Sequence, residues 1–562
     1  MKNYHHSGTD VFIVGLSLSA FFMLLAEHTS FGIQHGFAFG IANLLVWSCY
    51  VLAVAFDFAA APNKRRHLKE HWFEVLVIWP LIQCTVWAGH LSVYTMTRQL
   101  ALLVMLLSRV SRMRGLMQLL AMKPAQLMFS GFAGTIGVGA VLLMLPAATV
   151  SGDRLPFIDA LFTATSAVCV TGLAVLDTGT TFSLFGQAVI AALIQVGGLG
   201  IMTFSVALTV LLRKPMGLRE QAVLQNALDH DTIAGVQSLI RFIVLMTLSI
   251  EMAGAVLLFS AWHGRFDSLP SAVWASVFHS ISAFCNAGFS TFSDSLMGFR
   301  NHAGVNAVIC GLIISGGLGF MVIRDFILRF RCSAESRAGV RLRVQTKIVL
   351  TMTLVLILSG AAMIYIAERS GLLGDMSPRE AAMSSLFQSV TARTAGFNTL
   401  DIGKLSSAAL FMIIVLMFIG ASPGSTAGGI KTTTVAVLWA ALVASFRNRP
   451  HVEIFRRTLP VDAVFKALAV LCIALLLVAV FTYALLCVED QPFMSVLFEA
   501  VSAFGTVGLS TGITPLLSEK GKLLIIVLMF IGRLGPMTIV YAMLPRRRPV
   551  RYKYAVERMM IS

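Results

Sequence analysis

Charged residues are scarce in this chain. Asp, Glu, Lys and Arg make up 12% of its 562 residues, against 57% hydrophobic, which leaves too little polar surface to coat a water-soluble domain. Cysteine is scarce too. Eight residues lie singly in apolar or basic segments, which excludes a disulfide framework and the paired spacing of a structural metal site. No G-x-G-x-x-G fingerprint follows a strand pattern. "GSTAGGIKT" approaches a phosphate-cradling loop, but Ile430 separates Gly429 from Lys431 and no strand precedes it. "HLKEH", His67 to His71, has the ligand order of an inverted zinc protease, yet it lies in a short basic loop rather than on a helix beside a cleft. These absences argue against an enzyme, and against nucleotide binding by this chain itself.

Apolar sequence fills the chain instead. Runs near the roughly 20 residues that cross a bilayer include "FAFGIANLLVWSCYVLAVAFDFAA", "FIVLMTLSIEMAGAVLLFSAW" and "LAVLCIALLLVAVFTYALL". The expected class is an all-α protein that crosses the membrane many times. The first run, "VFIVGLSLSAFFMLLAE", lacks a small-residue cleavage site and a soluble domain to follow, so it reads as a retained helix. The net charge of +16 is concentrated in "NKRRHLK", "LRKPMGLR", "RFRCSAESRAGVRLRVQTK", "RNRPHVEIFRR" and "RRRPVRYK", with poorly charged connections between. Such alternation marks cytoplasmic loops rather than a nucleic-acid surface.

Four segments resemble one another: "TATSAVCVTGLAV", "HSISAFCNAGFST", "QSVTARTAGFNTL" and "EAVSAFGTVGLST". Their shared glycines, Gly172, Gly288, Gly396 and Gly508, are separated by 116, 108 and 112 residues. Internal repetition of this kind belongs to transport folds. Each unit reads as an apolar helix, a short half-helix, a glycine-centred turn and a second apolar helix. A second motif follows each turn: "VGGLGIMTF", "SGGLGFMVI", "IGASPGSTAGGIKT" and "IGRLGPMTI". The third unit thus carries four glycines, a proline, hydroxyls and a lysine where the first two keep GGLG on the helical path. In hydrocarbon such a break is tolerated only inside protein or beside water, so it marks a pathway. Arg533 stands where the first two units have Gly198 and Gly317. Four re-entrant turns around one axis present rings of backbone carbonyls to a cation. The half-helices aim their partially negative C-terminal ends at that axis. The turns hold no acidic side chain, so selectivity falls to carbonyls.

These loops, with "GSTAGGIKTT" and "GRLGP", resemble the Trk/Ktr/HKT superfamily of potassium transporters over residues 124–545. The resemblance implies four pseudo-symmetric helix–pore loop–helix repeats around one pore, at 124–237, 238–345, 346–458 and 459–562. It implies a potassium filter of Val170, Thr171, Gly172 and Leu173; Asn286, Ala287, Gly288 and Phe289; Thr394, Ala395, Gly396 and Phe397; and Thr506, Val507, Gly508 and Leu509. The stretch Gly420 to Thr432, with Gly424, Ser425, Thr426, Gly428, Gly429 and Lys431, is implied to be an intramembrane gating loop, and Arg533 its pore-facing neighbour. A serine at the first filter glycine accompanies sodium transport in the plant branch; glycine at all four positions here favours potassium, the transported ion, held by filter carbonyls. The resemblance further implies a homodimer in a bacterial cytoplasmic membrane, with a separate nucleotide-binding regulatory ring beneath it and no nucleic-acid partner.

Residues 1–123 depart from that pattern. They are expected to add four spans, near 10–26, 37–61, 72–95 and 98–121, which puts both termini in the cytoplasm. Arg109, Arg112 and Arg114 end the last of these as topogenic charge rather than as a voltage sensor. Two function classes stay open: a potassium-conducting pore, and a secondary transporter coupling potassium to sodium or protons. The second needs buried ionisable groups, for which Asp159, Glu251, Arg393, Glu499 and Arg533 are the candidates.

Overall fold

The computed structural model describes residues 124–211, 233–331 and 342–535. The chain divides between Met122 and Lys123. The expected N-terminal bundle, "HLKEH", the Arg109 to Arg114 segment and the basic C-terminal tail all lie outside the described residues.

The described chain is helical but for one hairpin. A first group is α1 (Pro124–Leu143), α2 (Phe157–Val168) and α3 (Leu184–Leu211). A second is α4 (Ile233–Trp262), α5 (Leu269–Cys285), α6 (Ala303–Leu318) and α7 (Phe320–Arg331). A third is α8 (Val344–Glu368), α9 (Pro378–Thr391), α10 (Ser407–Phe418) and α11 (Thr432–Phe446). The hairpin β1 (Glu453–Ile454) and β2 (Arg457–Thr458) pairs antiparallel, with Glu453 opposite Thr458. The last group is α12 (Val461–Val488), α13 (Phe493–Gly505) and α14 (Glu519–Leu534).

Local chemistry starts these helices. Ser377 and Glu380 close a reciprocal capping box ahead of α9, with Pro378 at the first helical turn. Ser268, Ser406 and Ser518 each accept a backbone N–H in the first turn of α5, α10 and α14. The second capping layer is acidic. Glu368, at the end of α8, accepts the amide of Ser406 at 2.7 Å, and Glu489, just past α12, accepts that of Ser518 at 3.0 Å.

α4, α8 and α12 have the length and hydropathy to cross a membrane, and α6 and α7 do so jointly. Their outward faces are apolar: Leu248, Met252 and Val256 on α4, Leu358 and Ile366 on α8, and Phe465 and Leu476 on α12 are all more than half exposed. Exposed apolar surface on that scale suits lipid, not water. The interior is a continuous core in which the short helices α2, α5, α9 and α13 are the most buried elements. Each short helix packs against the second long helix of the group before it: α5 on α3, α9 on α6, α13 on α10 and α2 on α14. The last contact joins the beginning of the described chain to its end and closes a ring.

The expectation that GGLG keeps its helix on path is corrected by the backbone. Gly200, Gly319 and Gly535 have φ of 74°, 84° and 83°, in the region closed to most residues with a Cβ. Gly200 and Gly319 break their helices, α6 and α7 meeting at 98°, and Gly535 caps the end of α14. The physical reason lies upstream. Gly197, Gly316 and Gly532 sit directly against the carbonyls of Val168, Phe284 and Phe504, where a Cβ would overlap the oxygen. The long helix therefore touches the C-terminal end of its own short helix and must turn away below it. Interruption at this level is thus shared by the first three groups, and the third differs from the first two in how long its break is.

Candidate functional site

The four short helices end in turns of the same unusual shape. Val170, Asn286, Thr394 and Thr506 have positive φ, at 56°, 61°, 75° and 50°. The left-handed region costs a residue with a Cβ about 1–2 kcal/mol, and three of these four are β-branched, for which it is a true outlier. Two residues on, Gly172, Gly288, Gly396 and Gly508 are again positive, at 91°, 70°, 82° and 94°. Strain repeated at one level of four turns is the kind that surrounding structure must impose.

The glycines face one another in order. A Cβ on Gly172 would lie 3.0 Å from Gly288 Cα, one on Gly288 2.9 Å from Gly396 Cα, one on Gly396 3.3 Å from Gly508 Cα, and one on Gly508 3.0 Å from Gly172 Cα. In each case it would also strike a carbonyl of the next turn: Ala287, Ala395, Val507 and Thr171 respectively. Of the residues expected at the filter, the four glycines and the carbonyls of Thr171, Ala287, Ala395 and Val507 are thus brought to one ring, and every one of the residues from Val170 to Gly172, Asn286 to Gly288, Thr394 to Gly396 and Thr506 to Gly508 is wholly or partly buried.

A hydroxyl in each short helix holds its turn. Ser166 and Ser502 accept the amides of Gly172 and Gly508, both at 3.1 Å. Ser282 and Thr391 donate to the carbonyls of Phe289 and Phe397 at 2.8 and 2.6 Å. Three residues before each hydroxyl stands another buried polar side chain: Thr163, His279, Gln388 and Glu499. His279 Nε2 lies 3.0 Å from Ser290 Oγ, and Glu499 accepts from Thr514, whose hydroxyl is 2.9 Å from Ser510. The Gln388 amide has no hydrogen-bond partner among the described residues. Sequence reasoning passed over both layers. The signal was present, since each quoted segment begins with this polar residue and carries Ser-Ala or Thr-Ala three places later.

Beneath the ring runs the long break between α10 and α11. Ile419 and Ile430 bridge its ends in parallel, and Gly424 and Gly429 turn the chain at φ of 74° and 64°. Gly420 packs against Gly429 Cα, where a Cβ would come within 3.2 Å. The loop reaches across to the break between α6 and α7. Ser422 N donates to Gly317 O at 3.2 Å, Thr426 N to Gly316 O at 3.4 Å, and Phe320 N to Gly424 O at 3.2 Å. Thr426 Oγ1 donates to Phe284 O, at the end of α5, at 3.3 Å. Ser425 Oγ accepts from Ala427 N, and Gly428 lies against the Thr506 side chain. Two broken segments thus satisfy each other's backbone groups, as low-dielectric surroundings require.

Both cations expected here are present and neither is unpaired. Lys431 Nζ donates to the carbonyls of Ala427 at 2.6 Å and Gly428 at 3.4 Å. Arg533 donates to Thr426 O in the loop and to Gly197 O in α3. One guanidinium so ties α14 to the loop and to the first group. Among the other ionisable candidates, Asp159 pairs with Lys522 at 2.7 Å. Glu251 accepts from Gln195 at 3.1 Å and lies 3.7 Å from Cys285 Sγ. Arg393 is buried with its Nε unpartnered among the described residues.

Ring-forming turns over an interrupted helix are features of a cation transport fold. The profile of the TrkH family, described as a cation transport protein, matches residues 117–550, and the chain belongs to that Trk/Ktr family. It is 45% identical over 421 residues to the Ktr system potassium uptake protein B of Bacillus subtilis, covering 75% of this chain and 92% of the relative. It is 39% identical over 450 residues to the potassium/sodium uptake protein NtpJ of Enterococcus hirae, covering 78% and 98%. Among solved structures it is similar to the potassium transporter TrkH from Vibrio parahaemolyticus, with a TM-score of 0.63, 19% identity, and coverage of 85% of this chain and 97% of that one.

Proposed function

We propose that this chain is the pore-forming membrane subunit of a potassium uptake system. Four pseudo-symmetric units surround one pathway, whose filter is built by Val170 to Leu173, Asn286 to Phe289, Thr394 to Phe397 and Thr506 to Leu509. The observation that carries the reading is the closed ring of glycines, in which each turn leaves room only for the next turn's carbonyl. Carbonyls so arranged replace the hydration shell of a cation without any side-chain charge. The short helices add the negative ends of their dipoles beneath it, and the hydroxyls at Ser166, Ser282, Thr391 and Ser502 keep the turns from relaxing.

The stretch Gly420 to Thr432 acts as the gate. Its position under the turns and the positive charge of Lys431 and Arg533 both oppose cation passage while it stays in place. A pore fits better than coupled transport, because the carboxylates of Asp159, Glu251 and Glu499 are each engaged by side-chain partners and none belongs to the four turns. The subunit works as a homodimer in a bacterial cytoplasmic membrane, with a separate nucleotide-binding regulatory ring on its cytoplasmic side.

The test is growth of potassium-uptake-deficient bacteria at low potassium, with rubidium influx measured alongside. Expression should restore both. A membrane-inserted protein that admits neither ion rejects the reading.

A further inference from the structure

A cavity of about 300 Å³ opens on the outer side of the third group, between α8 and α11. Its wall is apolar, with Met352 from α8 and Trp439 and Val443 from α11; Arg447, Arg449 and His451 stand at its rim. Glu453 also lines it and pairs with Arg449 at 3.5 Å, but both are well exposed. Lys347, 6.0 Å from the centre of the Phe455 ring on the hairpin, leaves the rim net positive.

Depth along α11 gives this arrangement its meaning. α11 starts at Thr432, just below the ring, and its 15 residues carry Arg447 about 22 Å further on at 1.5 Å per residue. Half of a bilayer including headgroups is roughly 20–22 Å, so with Thr432 near the midplane, where the proposed pathway is interrupted, and α11 along the membrane normal, the arginines reach phosphate level. Trp439, seven residues into the helix, lies about 10 Å along it, still beside acyl chains. Trp439 is nevertheless 66% exposed, as a side chain covered by lipid would be.

We propose that this cavity binds one anionic phospholipid, its phosphate at Arg447 and Arg449 and an acyl chain along Trp439, on the cytoplasmic side. The chemistry is that of basic pockets between membrane helices that take anionic headgroups. Because α11 begins where the Gly420 to Thr432 loop ends, and Thr346 of α8 donates to Asp325 of α7 at 2.5 Å, the site grips two helices that hold that loop. Its occupancy therefore biases the loop. The inference rests on the proposed membrane pore, with the basic segment "RNRPHVEIFRR" on its cytoplasmic side.

Trp439 is its own reporter. The full chain is reconstituted in vesicles containing phosphatidylglycerol or phosphatidylcholine with brominated acyl chains, and the emission lost in Trp439→Phe isolates this residue among seven tryptophans. Brominated phosphatidylglycerol should quench it at roughly tenfold lower mole fraction than brominated phosphatidylcholine. Arg447→Gln with Arg449→Gln should remove the difference, and the paired Lys substitutions should retain it. Equal quenching by the two lipids, a preference untouched by the Gln pair, or no quenching at all because a second copy covers the groove would each overturn the proposal. Rubidium uptake in the same vesicles separates the outcomes: uptake without lipid preference leaves the transport reading standing and removes this one alone.

Discussion

Gly172 shows how little space one position can hold. Its φ of 91° and the Ala287 carbonyl beside it leave no room for a Cβ. Gly172→Ser must therefore push on the neighbouring turn and disturb the carbonyl ring at Ala287. The expected outcome is a potassium-to-sodium selectivity reduced by about tenfold, the ratio that ~1.4 kcal/mol of lost discrimination produces. Competition of sodium with rubidium influx measures it, and unchanged selectivity would refute the filter assignment. The hydroxyl layer gives a milder case. Ser502→Ala removes one bond to Gly508 N, worth about 0.5–1.5 kcal/mol. It should weaken selectivity in the same direction while leaving expression intact, which parallel influx and membrane-yield assays check.

Among the elements, the interrupted helix between α10 and α11 decides the most. Its glycines give it a wide conformational range, yet the loop is tied to α6 and α7 by three backbone bonds and to α14 by Arg533. A gate held in this way opens by exchanging those bonds. Hydrogen bonds to charged groups contribute about 1.5–3 kcal/mol each, so Arg533 is the largest single restraint. Arg533→Ala, or deletion within Ser422 to Ala427, should raise potassium flux by roughly tenfold with selectivity kept, because the ring is built from other segments. Flux assays under conditions that silence the wild type are the check. A folded variant that conducts no faster would refute the gate.

At the scale of the whole molecule, the ring must close between its first and last groups. The Asp159–Lys522 pair does so with both side chains largely buried, at 15% and 13% exposure respectively. Removing one partner of a buried pair costs about 3–5 kcal/mol, whereas replacing both by apolar or neutral groups costs much less. Lys522→Ala should therefore lower the melting temperature clearly, and Asp159→Asn with Lys522→Met should recover most of the loss. Thermal unfolding in detergent measures both; a single variant as stable as wild type would show that helix packing alone closes the ring.

Several of these features are legible in the sequence alone. Spacing of Gly172, Gly288, Gly396 and Gly508 at about 110 residues, and the break at Gly420, were visible because glycine and proline report backbone demands locally. Apolar runs were visible because lipid imposes one composition on every exposed helix face. The helix breaks at Gly200 and Gly319 were not foreseen, since a short glycine motif reads equally well as close helix packing. What forces the turn is the end of another helix lying across the path. Likewise, the polar layer of Thr163, His279, Gln388 and Glu499 acquires meaning only behind the ring, and Arg533 finds its partners 107 and 336 residues away. Backbone conformation at a glycine is a local property and travels with the sequence. Which carbonyl fills the space that the glycine leaves is a property of long-range packing, and only the assembled structure decides it.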